Sequence, residues 1–223
     1  PDEVRAAIKK HNKSMAKFDR HAGKDIAVSL RINTREGCRN IVTDAFEYAK
    51  KCGRKSVTVV EKPNVIRETS GLMVRTAREV AKGYPGIELW ETNIDAMCMW
   101  LIKNPLDYGV IVTTNLFGDI VSDLCAQLVG GLGFAASGNI GDDFAVFEPT
   151  HGSAPKYAGQ YKVNPMAMLL SVKLMLDWLG ETATADKLER AIAAVVKEGK
   201  VRTYDMGGSN STLEVAEAVA AKL

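Results

Sequence analysis

Two aspartates four residues apart, Asp119 and Asp123, lie in Asn115-Leu-Phe-Gly-Asp119-Ile-Val-Ser-Asp123, just after the apolar run Val110–Thr113. Four residues is about one helical turn, so on a helix both carboxylates share a face. Like charges placed this way repel, and a cation between them is the natural compensation. Oxygen-only donors favour Mg²⁺ or Mn²⁺ over zinc. The helix macrodipole alone also favours acids near a helix start, so spacing leaves both readings open. A third acid, Asp95 in Asn93-Ile-Asp95, opens another expected helix, where an N-cap or first-turn role is equally open. Lys62, in Val59-Val-Glu-Lys62-Pro-Asn64, follows a further apolar run. A solvated loop position accounts for such a lysine. Beside a metal it would lose proton affinity and could transfer protons.

The other chemistry-bearing segment is Glu148-Pro-Thr-His151-Gly-Ser-Ala-Pro155-Lys-Tyr-Ala-Gly159. Its small residues let backbone amides approach a ligand closely, and a helix opening near Pro155 would aim its N-terminus at a phosphate. Lys156 and Tyr157 add a cation and an aromatic donor suited to an extra phosphate, although an ordinary surface turn has the same composition. Gly131-Leu-Gly133-Phe-Ala-Ala fails the last position of the GxGxxG dinucleotide fingerprint, so no Rossmann site is expected.

These residues need a scaffold of strands that end beside one another. Residues 2–18 read as a charged amphipathic helix, fit for a lid or a partner-facing element. From about Asp25 the pattern changes to short β-rich runs alternating with helices. Ile26–Ile32 reads as a strand, and Asn33-Thr-Arg-Glu36 as a capping box opening a helix that ends at Gly53. Ser56–Val60, Ile87–Trp90 and Val110–Thr113 read as further strands, with helices around Leu72–Lys82 and Ala96–Lys103. Alternation of this kind predicts an α/β fold with a parallel or mixed sheet and crossover helices. The glycine-rich stretch Gly130–Gly141 separates this part from a strand at Phe144–Phe147 and three helices near 165–180, 183–198 and 211–222. A soft boundary is expected near Val129.

Composition narrows the function classes. The chain has 223 residues, 46% hydrophobic, enough for one large or two small globular cores. Net charge is +2 with scattered basic residues, so nucleic acid is not the expected partner. Apolar runs such as Met166–Leu170 are far shorter than a membrane span, and no export signal opens the chain, so no membrane association is expected. The four cysteines show no CxxC pairing and only three histidines occur, which suggests neither a zinc site nor a disulfide framework. A soluble protein with reduced thiols in the cytoplasm is the expectation. Opening on Pro1 rather than Met, the chain reads as a processed product or a fragment.

The strings VTVVEKPNV, NLFGDIVSDLCAQLVGGLG, GNIG and EPTHGSAPKYAGQYKVNP, in this order and at these separations, resemble the isocitrate/isopropylmalate dehydrogenases, the metal-dependent β-decarboxylating dehydrogenases. The likeness covers about residues 26–223, and NxxGDxxSD and HGSAPKYAG are its specific segments. It implies that Asp95, Asp119 and Asp123 bind Mg²⁺ or Mn²⁺, that Lys62 is the catalytic lysine and that Asn64 lies beside it. It also implies that His151, Gly152, Ser153 and Ala154, with Lys156, Tyr157 and Asn164, line the adenosine side of a nicotinamide cofactor. Lys156-Tyr157 resembles the NADP-using members, since NAD-using relatives commonly carry an acid and an aliphatic residue there. Tyr204 falls where NADP-type isocitrate enzymes place a phosphate-contacting tyrosine, while Gly207 and Gly208 stand where an accompanying arginine is expected.

The implied reaction is oxidative decarboxylation of a 2-hydroxy acid of the 3-substituted malate class. Isocitrate is favoured, with isopropylmalate, homoisocitrate or tartrate as alternatives. The rival from another class is a regulatory subunit that carries out no catalysis. The family's N-terminal segment, which carries the substrate arginines and a catalytic tyrosine, has no counterpart here. Glu61 also replaces the histidine that isocitrate enzymes commonly carry before the lysine. Members are homodimers with shared active sites. The likeness thus divides the chain into 1–25, a lid or clasp remnant; 26–129, a small α/β domain with the dimer interface; and 130–223, part of the cofactor-binding domain.

Overall fold

The computed structural model describes residues 29–223 and positions 3, 6, 7, 10 and 27. The helix expected over residues 2–18 therefore falls largely outside the described residues. Within residues 29–223 seven α-helices and five strands follow: α1 (Arg35–Lys51), β1 (Ser56–Glu61), α2 (Arg67–Ala81), β2 (Glu88–Asn93), α3 (Ile94–Lys103), β3 (Val110–Thr113), α4 (Asn115–Leu128), β4 (Ala136–Ile140), β5 (Ala145–Pro149), α5 (Met166–Trp178), α6 (Thr182–Glu198) and α7 (Thr212–Ala220).

β1 is the central strand of a parallel three-stranded sheet in the order β2-β1-β3. All six of its residues are buried, as expected for a parallel strand covered on both faces. Side chains alternate across the sheet. Val57 and Val59 join Val112 and the helices α1 and α2 in one core, around Val42, Phe46 and Met73. Val60 faces the other way and packs with Met97 and Leu101 of α3 and Val121 of α4. A third core, built on Met166, Leu188, Ile192, Val195, Val215 and Val219, holds α5, α6 and α7 together.

Four local expectations change. Residues 27 and 29–32 carry no strand, and Leu30 and Ile32 are exposed without a ladder partner among the described residues. The cap of α1 is Thr34 rather than Asn33. Its side chain accepts from the Gly37 backbone N–H at 3.0 Å, so Glu36 falls one position short of the reciprocal place in a capping box. The glycine-rich stretch does not only separate the two parts, because its second half is β4. That strand pairs antiparallel with β5, from Ala136 opposite Pro149 to Ile140 opposite Ala145. Cross-strand hydrogen bonding overrides the weak strand propensity of Ser-Gly-Asn there. Phe144 lies in the turn, outside β5.

Candidate active site

Because β1, β2 and β3 run parallel, their carboxyl ends meet at one edge of the sheet, the usual ligand side of such folds. Register decides which residues face each other there. Glu61 stands opposite Asn93, so the residues just beyond the two strands, Lys62 and the α3 opening at Ile94-Asp95, emerge side by side. Lys62 Nζ donates to Asp95 Oδ1 in an ion pair. The lysine side chain is 20% exposed and the aspartate 67%. Chiefly that hydrogen bond, with backbone N–H groups of the α3 first turn, holds the Asp95 carboxyl below the usual carboxylate range. Asn64, two residues on, is exposed at the same edge.

On the other side of β1, Val60 stands opposite Thr113, and α4 starts two residues later. Asp119 and Asp123 lie one turn apart in α4, both exposed, at the same carboxyl edge. The structure does not gather them with Asp95: among the described residues no three acidic, histidine or cysteine side chains are placed to hold a metal ion together. One chain thus presents oxygen donors on two separate helices, and neither set alone closes a site.

The loop after β5 forms a second feature, a cavity of about 500 Å³. His151, Gly152, Ala154, Tyr157, Asn164 and Tyr204 line it. Ser153 and Lys156 belong to the same loop without lining the cavity, and Lys156 Nζ sits 4.9 Å from the Tyr157 ring centroid. Tyr157 and Tyr204 meet with ring centroids 6.0 Å apart. Chiefly the neighbouring Tyr157 hydroxyl pushes the Tyr204 phenol above its ordinary range. Ala154 has φ 44°, a left-handed conformation that an alanine adopts only where its surroundings enforce it, here on the cavity wall.

Sequence reasoning missed Asp205, Gln127 and the glycines Gly130, Gly131 and Gly133 as cavity residues. Asn164, 5% exposed, donates to Asp205 Oδ2 at 3.0 Å and accepts from the Met166 backbone N–H at 3.0 Å. Thr203 Oγ1 donates to the other Asp205 oxygen at 2.5 Å. A Cβ on Gly133 would lie 2.7 Å from Asp205 and 2.9 Å from Asn164 Nδ2, so only glycine leaves that pair intact. The glycine run itself was the legible signal; its partner some 70 positions on was not. Gly208, where an arginine was expected, abuts Arg202: a Cβ there would lie 2.1 Å from the Arg202 carbonyl oxygen.

The family model described as isocitrate/isopropylmalate dehydrogenase matches residues 5–219. The chain belongs to this family. Among relatives, a 3-isopropylmalate dehydrogenase of Archaeoglobus fulgidus is 49% identical over 89% of this chain and 61% of its own length. A mitochondrial regulatory subunit of NAD isocitrate dehydrogenase from Dictyostelium discoideum is 45% identical over 90% of this chain and 57% of its own length. The crystal structure of isocitrate dehydrogenase from Methylococcus capsulatus superimposes with a TM-score of 0.84 at 43% identity, covering 87% of this chain and 58% of that one. The chain therefore spans about three-fifths of these relatives, and its fold is theirs. The family also fits the α/β expectation: the three-stranded sheet is parallel, and the two-stranded hairpin is separate from it.

Proposed function

We propose that this chain supplies the metal- and cofactor-binding part of an enzyme that oxidatively decarboxylates a 3-substituted malate, with isocitrate as the favoured substrate. The observation that carries this reading is the cavity. Six side chains or backbone positions assigned from sequence to the cofactor converge on it from the β5 loop, the α5 approach and the turn at Tyr204. Its size suits the adenosine part of a nicotinamide cofactor. The grouping of Lys156, Tyr157 and Tyr204 favours NADP over NAD, since a cation and two phenols suit an added phosphate.

Asp119 and Asp123 of one chain, with Asp95 of a second, fit Mg²⁺ or Mn²⁺ by donor chemistry, all carboxylate oxygen and exposed at the sheet edge. Bound there, such an ion would polarise the substrate's 2-hydroxyl and later carbonyl oxygen as a Lewis acid. The protein's own tasks are then positional. Lys62 stands ready to hold or return a proton at Nζ, Asp95 orients it, and Asn64 lies within the same loop to meet substrate. That the donors are divided between α3 and α4 supports a homodimer with two shared sites. On this reading 26–129 is the small, interface-bearing domain and 130–223 belongs to the cofactor domain, while the lid or clasp expected over 1–25 lies almost wholly outside the described residues. The separate cores on either side of Val129 support that division. We place the enzyme in the cytoplasm, following the four unpaired cysteines.

A relative named as regulatory favours one second reading, a chain that keeps the fold and binds ligand without turnover. Retention of Lys62, Asp95, Asp119 and Asp123 speaks for catalysis. The test is an assay of the full-length protein with isocitrate and 3-isopropylmalate, each with NADP or NAD, with and without Mg²⁺ or Mn²⁺. Metal-dependent cofactor reduction with isocitrate, lost in Lys62→Met, is expected. Cofactor binding by calorimetry without reduction of either cofactor by either acid overturns the enzyme reading in favour of the regulatory one.

A further inference from the structure

Beside Lys62 lies a charged network that the proposed chemistry does not use. Alternation along β1 sends Lys62 to the face of α3 and Glu61 to the opposite face, under α2. The Glu61 side chain is fully enclosed, at 0% exposed. An enclosed carboxylate needs a donor at each oxygen. Ser70 Oγ of α2 donates to Oε2 at 2.5 Å, and Thr114 Oγ1 donates to Oε1 at 2.5 Å. Arg31 Nη2 approaches Oε1 at 3.4 Å and donates to Thr114 Oγ1. The Arg31 guanidinium also lies over the Phe117 ring, 4.9 Å from its centroid.

The partners belong to the two half-sites that one chain presents. Ser70 Oγ also accepts from the Lys62 backbone N–H at 3.4 Å, so the peptide that carries the lysine is tied to the same hydroxyl. Thr114 is the N-cap of α4, yet its side chain makes no cap hydrogen bond, because it is turned to Glu61 instead. Phe117 is in the first turn of α4, buried at 7% exposure, two residues before Asp119. One carboxylate therefore fixes the strand end that presents Lys62 and the opening turn of the helix that presents Asp119 and Asp123.

We propose that Glu61 is the positioning residue of both half-sites of the chain: through Ser70 and Thr114 it fixes the lysine offered to one shared site and the two-aspartate helix offered to the other. The inference rests on the metal-site reading above. Supporting residues one step behind metal ligands change affinity or activity by about 10- to 100-fold when removed.

The test uses the full-length enzyme and its Glu61→Gln, Thr114→Val and Thr114→Ser variants. Mn²⁺ affinity is read by calorimetry, and kcat and KM for metal and for NADP by steady-state assay. Glu61→Gln and Thr114→Val are expected to weaken Mn²⁺ binding and lower kcat by about tenfold or more. The KM for NADP, bound at the cavity by the carboxyl end of α4, should stay within about twofold, and Thr114→Ser should recover most of the loss by restoring the hydroxyl. Mn²⁺ affinity and kcat unchanged in both Glu61→Gln and Thr114→Val would overturn the proposal. So would a parallel loss of Mn²⁺ and NADP binding that follows a fall in Tm, which is the mark of a general structural role. Lys62→Met serves as the control for the underlying reading: if it keeps activity, the catalytic assignment fails, and Mn²⁺ affinity still decides the role of Glu61.

Discussion

At the scale of single residues, the proposed preference for NADP turns on Lys156, Tyr157 and Tyr204. The lysine packs on the Tyr157 ring, and that ring meets Tyr204 across the mouth of the cavity. An Asp-Ile pair at 156–157 would replace a cation with an anion and remove one phenol, which repels an added phosphate. In the full-length enzyme, Lys156→Asp with Tyr157→Ile is expected to move the ratio of kcat/KM for NADP over NAD toward NAD by at least about tenfold, equivalent to roughly 1.4 kcal/mol of differential binding. An unaltered ratio would remove both residues from the cofactor site. Lys62 and Asp95, by contrast, were recognisable from sequence as single residues, while their pairing was not, since it follows from the register of β1 against β2.

At the scale of elements, α7 secures the wall of the cavity from outside. Val215 and Val219 bury its inner face against α5 and α6. Its opening turn holds the loop before Asn164, with Thr212 N–H donating to the Tyr161 carbonyl at 2.7 Å and Thr212 Oγ1 to the Val163 carbonyl at 2.6 Å. A complete capping box starts the helix: Ser211 Oγ accepts from the Glu214 N–H, and the Glu214 carboxylate accepts from the Ser211 N–H at 2.7 Å. That backbone donor, with the Ser211 hydroxyl and Asn210, holds the Glu214 carboxyl below its usual 4.5. A depressed carboxylate contributes stability above its unfolded pKa and loses it as pH falls through the folded one. Ser211→Ala should cost roughly 1 kcal/mol in denaturant unfolding at neutral pH. Glu214→Gln should show a shallower loss of Tm than the parent as pH is lowered below 4.5, and parallel acid profiles would refute the role of the box.

For the whole molecule, the decisive feature is the distribution of oxygen donors. On the proposed reading Lys62 and Asp95 form one half-site and Asp119 with Asp123 another, and no metal-holding trio closes within the described residues. A two-fold interface would join unlike halves and build two equal sites. Mixing full-length Lys62→Met with full-length Asp119→Asn, each inactive alone, should therefore restore activity after the protomers exchange. Statistical pairing makes about half the dimers mixed with one intact site each, so recovery to about a quarter of wild type is expected. Exchange confirmed by mass spectrometry without recovery would place Lys62 and Asp119 in the same chain's site.

The α/β class was legible because strand and helix periods alternate plainly from Ser56 to Leu128, and the motifs stood out because Asp119-Asp123 and His151–Tyr157 carry unusual residues at tight spacing. Local pattern reached less far where long-range pairing decides. The strand β4 was hidden in a glycine-rich stretch, since only hydrogen bonding to β5 makes Ser137-Gly-Asn139 a strand. Asp205 looked like any surface acid until folding set it against Asn164, 41 positions away, and Glu61 looked like a departure from a motif until burial gave it Ser70, Thr114 and Arg31 as partners. Residue types and local spacing are properties of the chain itself, whereas register, enclosure and the hydrogen-bond partners of a buried charge exist only once distant segments are packed together, and only the tertiary structure could supply them.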